Sequence, residues 1–113
     1  MSRRAPLDRD GAYRVFRETV NLSPDELEAW LATPESRAVG QKKGGASESV
    51  GHASGRRILA LLRTDRASLA EEDYRHMRKV VGFVRRHRAQ EPANMVTSRW
   101  RYSLMNWGHD PLK

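Results

Sequence analysis

Apolar residues recur at helical spacing through most of the chain, in short runs separated by helix-stopping residues. Tyr13, Phe16 and Val20 stand at i, i+3 and i+7, which predicts a first helix over 10–20 ended by Asn21. The next six residues spell a helix start: Ser23 caps, Pro24 takes the first helical position, Glu26 completes a capping box, and Leu22 staples to Leu27. Leu27, Trp30 and Leu31 then line the buried face of a second helix, which Thr33 and Pro34 stop and a short turn through Ala38 follows.

From 40 to 55 the chain reads GQKKGGASESVGHASG, with five of the eight glycines and only Val50 as a large apolar residue, and so predicts a flexible Gly/Ser-rich loop. Ser54 is the expected cap of a third helix over 55–64, with Ile58, Leu61 and Leu62 inward. Ser68 and Glu71 read as a second capping box, opening the longest helix, to about Ala89. On it Tyr74, Met77, Val80, Val81 and Val84 gather on one side, and Arg75, Arg78, Lys79, Arg85 and Arg86 on the other, with Gly82 among them. A break follows over 90–94. Trp100, Leu104 and Trp107 then form one more stripe, closed by Gly108 and Pro111. No strand-like alternation or internal repeat appears. The expected fold is all-α: a single helical domain over 1–113, an irregular bundle of four to five helices, with the Gly-rich loop between the second and third main helices and a disordered segment over 1–7.

Composition narrows the partners. The formal charge is +7 with a pI near 10.5, and residues 54–90 hold ten basic against four acidic residues, a surplus of +6 in one third of the chain. Such a surplus attracts polyanions within about a Debye length. Seventeen of the 21 basic residues are Arg, a bias that genome composition produces unaided, so Arg identity alone carries no weight. No stretch is apolar enough to span a bilayer and no apolar run follows the basic start, so a cytoplasmic location is expected, at the nucleoid if DNA is the partner. The chain has no Cys, which excludes disulfides, thiolate metal sites and cysteine nucleophiles.

Candidate chemistry is correspondingly plain. The loop and the helix after it bring Lys42, Lys43, His52, Arg56 and Arg57 near backbone N–H groups that approach phosphate closely, although no GxxxxGK[ST] pattern is present. On the long helix Arg75, Arg78, Lys79, Arg85 and Arg86 follow Asp73 with no interleaved acid, an arrangement of like charges that a bound polyanion relieves. His52, His76, His87 and His109 lack metal-ligand spacing, no cofactor is expected, and a Ser-His hydrolase would need a third group and an oxyanion hole. Trp30, Trp100 and Trp107 sit at core spacing. A helix-turn-helix built on the second helix is disfavoured, since Asp25, Glu26 and Glu28 would repel the duplex.

The segments SESVGHASGRRI (47–58), DYRHMRKVV (73–81) and NWGHDPLK (106–113) resemble a family of short bacterial and fungal proteins of unknown function, often labelled only as DNA-binding proteins. The resemblance covers almost the whole chain and implies DNA binding, without supplying a mechanism or an assigned site residue. It also implies that the loop is more than a passive connector. The resulting expectation is a non-enzymatic DNA-binding protein that contacts the phosphate backbone with little base specificity, duplex DNA being favoured over RNA or single strands. The alternative is a regulatory adaptor whose cationic helix docks an acidic protein, anchored by Trp100 and Trp107.

Overall fold

A computed structural model describes residues 8–93 and 98–113, so the expectation for 1–7 lies outside the described residues. Among them every regular element is helical: α1 (Arg9–Thr19), α2 (Pro24–Leu31), α3 (Pro34–Ala38), α4 (Val50–Leu62), α5 (Glu71–Arg88) and α6 (Arg99–Asn106), with a 3₁₀ turn at Arg66–Ser68. The all-α bundle is therefore as expected, with six α-helices in place of four or five.

Local chemistry fixes the helix starts. The Ser23 side chain accepts from the Glu26 N–H at 3.1 Å while Glu26 Oε1 accepts from the Ser23 N–H at 2.8 Å, the capping box read from the sequence. Thr33 caps α3 from the residue before Pro34. Two starts differ from the expectation. Helix α4 is capped by Ser49, which accepts from the His52 N–H at 3.1 Å, so Ser54 and Gly55 lie inside a helix and the irregular connection ends five residues earlier. Helix α5 begins at Glu71 with Asp73 accepting from the Ala70 N–H at 2.9 Å, and Ser68 belongs to the 3₁₀ turn instead of a box.

Helix α1 packs along α5, α2 along α4, and α6 touches α2, α3, α4 and α5, closing the bundle. Tyr74, Met77, Val80, Val81 and Val84 of α5 are all buried, joining Phe16 of α1, Leu27 of α2, Ile58 of α4 and Leu104 of α6 in one core. Each such side chain contributes about 1.5–3 kcal/mol by leaving water.

The C-terminal residues lock this arrangement. Asn106 is buried: its Oδ1 accepts from Trp30 Nε1 at 2.8 Å and from the Ser36 hydroxyl, and its Nδ2 donates to the Ser36 carbonyl at 2.9 Å. One amide thus ties α6 to α2 and α3. Gly108, at φ +81°, turns the chain so that its carbonyl accepts from the Asn21 and Leu22 N–H groups, and a Cβ there would stand 2.9 Å from Val20. His109 Nδ1 donates to the Thr19 carbonyl at 2.7 Å, and Asp110 takes Arg101 on both carboxylate oxygens at 3.1 Å.

Candidate nucleic-acid interface

Helix geometry places Arg75, Arg78, Lys79, Gly82, Arg85 and Arg86 within an arc of about 120° on α5, opposite the buried stripe. The whole set is exposed apart from Gly82, which is half-buried. The Arg86 side chain folds back along this ridge, its Nη1 3.1 Å from where a Cβ on Gly82 would be. The ridge separates two depressions. Toward α1 a cleft of about 370 Å³ is edged by Arg14, Arg78 and Arg85, with Asp8 at its end. Toward α4 and α6 a cavity of about 670 Å³ is edged by Lys42, Lys43, Lys79, Arg86 and Arg99, and no carboxylate lines it among the described residues.

The cations of the chain fall into two groups. Some are neutralised: Glu48 holds Arg56 through both oxygens, Arg57 lies 3.5 Å from Asp73, and Arg63 spans Asp25 and Glu28. Arg66 pairs with Asp10, and Arg75 lies 3.4 Å from Glu71. Others, Arg9, Arg17, Arg37, Lys42, Lys43, Arg78, Lys79, Arg85, Arg86, Arg88 and Arg99, have no carboxylate within 4 Å among the described residues. Seven of these eleven, Lys42, Lys43, Arg78, Lys79, Arg85, Arg86 and Arg99, edge the two depressions beside the ridge. The dipole of α5 explains favourable charge at Arg85 and Arg86 in its last turn, but not at Arg78 and Lys79 in mid-helix, nor at lysines and an arginine brought in by two other segments.

Of the ten cationic and histidine positions expected to meet phosphate, the structure brings Lys42, Lys43, Lys79 and Arg86 to one cavity and Arg78 and Arg85 to the cleft beside it. Arg56, Arg57 and Arg75 each face a carboxylate instead. His52 is a correction: it is buried, its Nδ1 meets Glu48 and its Nε2 donates to the Leu31 carbonyl at 2.8 Å, so the ring has no nitrogen to offer an anion. The Glu48 carboxyl is held down at about 2, first by the Arg56 hydrogen bonds and then by His52. Arg99 and Phe83 were not singled out from the sequence. Arg99 stands alone beside Trp100, and Phe83 sits at the border of the basic and apolar faces of α5, where neither periodicity claims it.

The tryptophans are largely internal. Trp107 is 4% exposed, and Trp100 donates to the His87 carbonyl at 2.6 Å, so the expected Trp100/Trp107 anchor for a partner is already committed to the bundle. Rings of α5, α6 and the residue that caps α6 form one stack: His76, Trp107, Phe83, His87 and Trp100 follow one another at 6.3, 4.3, 5.0 and 6.5 Å, with interplanar angles of 13–20°. Phe83, His87 and Trp107 form the wall of the larger cavity.

Burial sets the ionisation of this stack. His76 shares a 3.0 Å hydrogen bond with the buried Ser54 hydroxyl, and burial, followed by the charges of Arg57 and Lys79, lowers it to about 4. Burial also lowers His87 and His109, and the Nε2 of each is enclosed without a hydrogen-bond partner. In the unfolded chain these rings take up protons near pH 6.5, whereas the folded chain resists until lower pH. The contribution of His76 is therefore complete above about pH 7 and is lost as pH falls from about 6.5 to about 4, amounting to about 2 kcal/mol after solvent screening. Urea denaturation at pH 7 and pH 4 should show His76→Gln losing about 2 kcal/mol less than the parent over this interval; equal losses would place the titration elsewhere.

Among the described residues no helix is long and apolar enough to cross a membrane, and no group of His, Cys, Asp or Glu has the geometry of a metal site. Residues 15–105 match the family described as "Protein of unknown function (DUF3140)". No curated protein and no solved structure matches the chain.

Proposed function

The chain belongs to the family of unknown function DUF3140, and on that premise we propose that it is a non-enzymatic nucleic-acid-binding protein that grips the phosphate backbone, duplex DNA in first place. The observation that carries this reading is convergence: Lys42, Lys43, Arg78, Lys79, Arg85, Arg86 and Arg99, each without a carboxylate within 4 Å among the described residues, come from α5, α6 and the connection before α4 to two adjoining depressions beside the outer face of α5. Phosphate oxygens would complete that face. Each contact releases condensed counterions, so affinity without base readout follows from position alone. The ridge presents Arg and Lys but no Asn or Gln, and a bare cationic ridge discriminates poorly among base edges.

Two depressions on either side of a basic helix suit a backbone that passes over the ridge and is held at both edges. With five or six phosphates neutralised, log K against log salt should slope by about −5. Fluorescence anisotropy with a labelled duplex over a range of salt reads this directly. A slope near zero, or no binding at low salt, would overturn the proposal. An acidic protein that co-purifies stoichiometrically after nuclease treatment would transfer the same cations to a protein partner.

A further inference from the structure

The 670 Å³ cavity beside the ridge is more than a phosphate cradle. Its size falls within the range of about 300–1,000 Å³ that small-molecule sites occupy. Five cations surround it without an acid among the described residues, yet its wall is apolar and aromatic: Val50, Phe83, His87 and Trp107. A cradle for bare phosphate has no need of such a wall. Gln41 and Ser103 add neutral hydrogen-bonding groups at its edge. The lining thus combines what recognises an anion, what covers a flat apolar body, and what reads polar atoms on its rim.

The cavity is also built into the fold. Gly51 of α4 lets Trp107 approach so closely that a Cβ would stand 3.1 Å from its Nε1. Trp107 in turn stacks on Phe83 at 4.3 Å and 13°. The wall is therefore held by α4, α5 and α6 together, whereas Lys42 and Lys43 arrive from the exposed connection that precedes α4.

We infer that this cavity takes one unstacked nucleotide, its base lodged against the Phe83 and Trp107 wall and its phosphate met by Lys42, Lys43, Lys79, Arg86 and Arg99. The inference rests on the nucleic-acid reading for its usual source, an unpaired residue at a strand end or break, but the same chemistry fits a free mononucleotide. Because the cavity adjoins the ridge, a duplex lying along α5 would bring its frayed or overhanging end to the opening. Because Phe83 and Trp107 each have both faces stacked within the bundle, a base meets their edges, and its gain is that of apolar burial, about 25 cal/mol per Å² covered, which tolerates any sequence.

The test compares a blunt duplex, the same duplex with a short unpaired tail, and one whose tail is abasic and so carries equal charge without bases. The tailed duplex should bind about 10-fold more tightly than the blunt one, and the abasic tail should lose most of that gain. Phe83→Leu, which keeps apolar volume without the ring, should abolish the difference between tailed and abasic substrates, with a thermal melt confirming that it folds. Lys43→Ala, on the exposed connection, supplies a second variant free of packing cost and should weaken tailed and abasic substrates alike. Free dAMP that quenches tryptophan fluorescence and competes with the tail assigns the cavity to mononucleotide as well as strand; a tail effect without competition assigns it to the strand alone. Equal affinities for tailed and abasic duplexes, together with no response to dAMP, would overturn the inference while leaving backbone binding intact. Absence of binding to any duplex alongside a dAMP response would do the reverse.

Discussion

Asn106→Ala should cost about 4 kcal/mol of folding stability and lower the melting temperature by about 15 °C. The side chain is 1% exposed and makes three hydrogen bonds, to the Trp30 indole, the Ser36 hydroxyl and the Ser36 carbonyl. Truncation leaves two donors and an acceptor without their partner in a place water reaches poorly, and adds a cavity in the packing. The local backbone has no room to close over that void, because Gly55 already lies against the Asn106 carbonyl: a Cβ there would be 2.5 Å away. For a domain whose whole stability is about 5–15 kcal/mol, such a loss is a large share. Circular dichroism melts of the variant and parent read it. A loss under about 1 kcal/mol would mean that α2, α3 and α6 are held together by their apolar contacts alone.

That hub shows where reading the sequence stops. The segment NWGHDPLK stood out as specific, yet its role is architectural: Asn106 joins three helices, Gly108 reverses the chain at positive φ, and His109 and Asp110 fasten the junction of α1 and α2. The side-chain hydrogen-bond partners of Asn106 and His109 lie 70 residues or more away in sequence, so no local pattern announces them. Capping is the opposite case. The Ser23/Glu26 box and the apolar stripe of α5 are decided within a few residues, and both were legible.

The 40–55 segment was half legible, for a physical reason. Glycine signals a loop when the backbone needs unusual dihedrals, as at Gly40 with φ +95°, but Gly51 and Gly55 are helical and small because α6 presses against them. Their spacing of four residues on one face, with Ser49 ahead of them as a cap, was the signal for a close helix contact. Glu48, just ahead of the Ser49 cap, and His52 and Arg56 on one face of α4 are four residues apart in turn, which likewise marked an ion pair at the helix start. The pairing of Arg57 with Asp73 and of Arg63 with Glu28 depends on tertiary approach, and so does the convergence of Lys42, Lys79 and Arg99. A basic helix could be read from the sequence; which of its charges were left over could not.

The leftover charges are the central claim, and a charge-matched comparison tests them most directly. One triple variant, Lys79→Gln with Arg86→Gln and Arg99→Gln, removes three cations that face no carboxylate; another, Arg56→Gln with Arg63→Gln and Arg66→Gln, removes three that do. Both lower the net charge equally, so a response to overall charge alone would be the same. Duplex binding followed by anisotropy across salt concentrations should fall about 100-fold or more for the first variant, with the salt slope shallower by about 3, and stay within about 3-fold of the parent for the second. Equal losses for the two would contradict a localised interface and reduce the protein to a diffuse polycation.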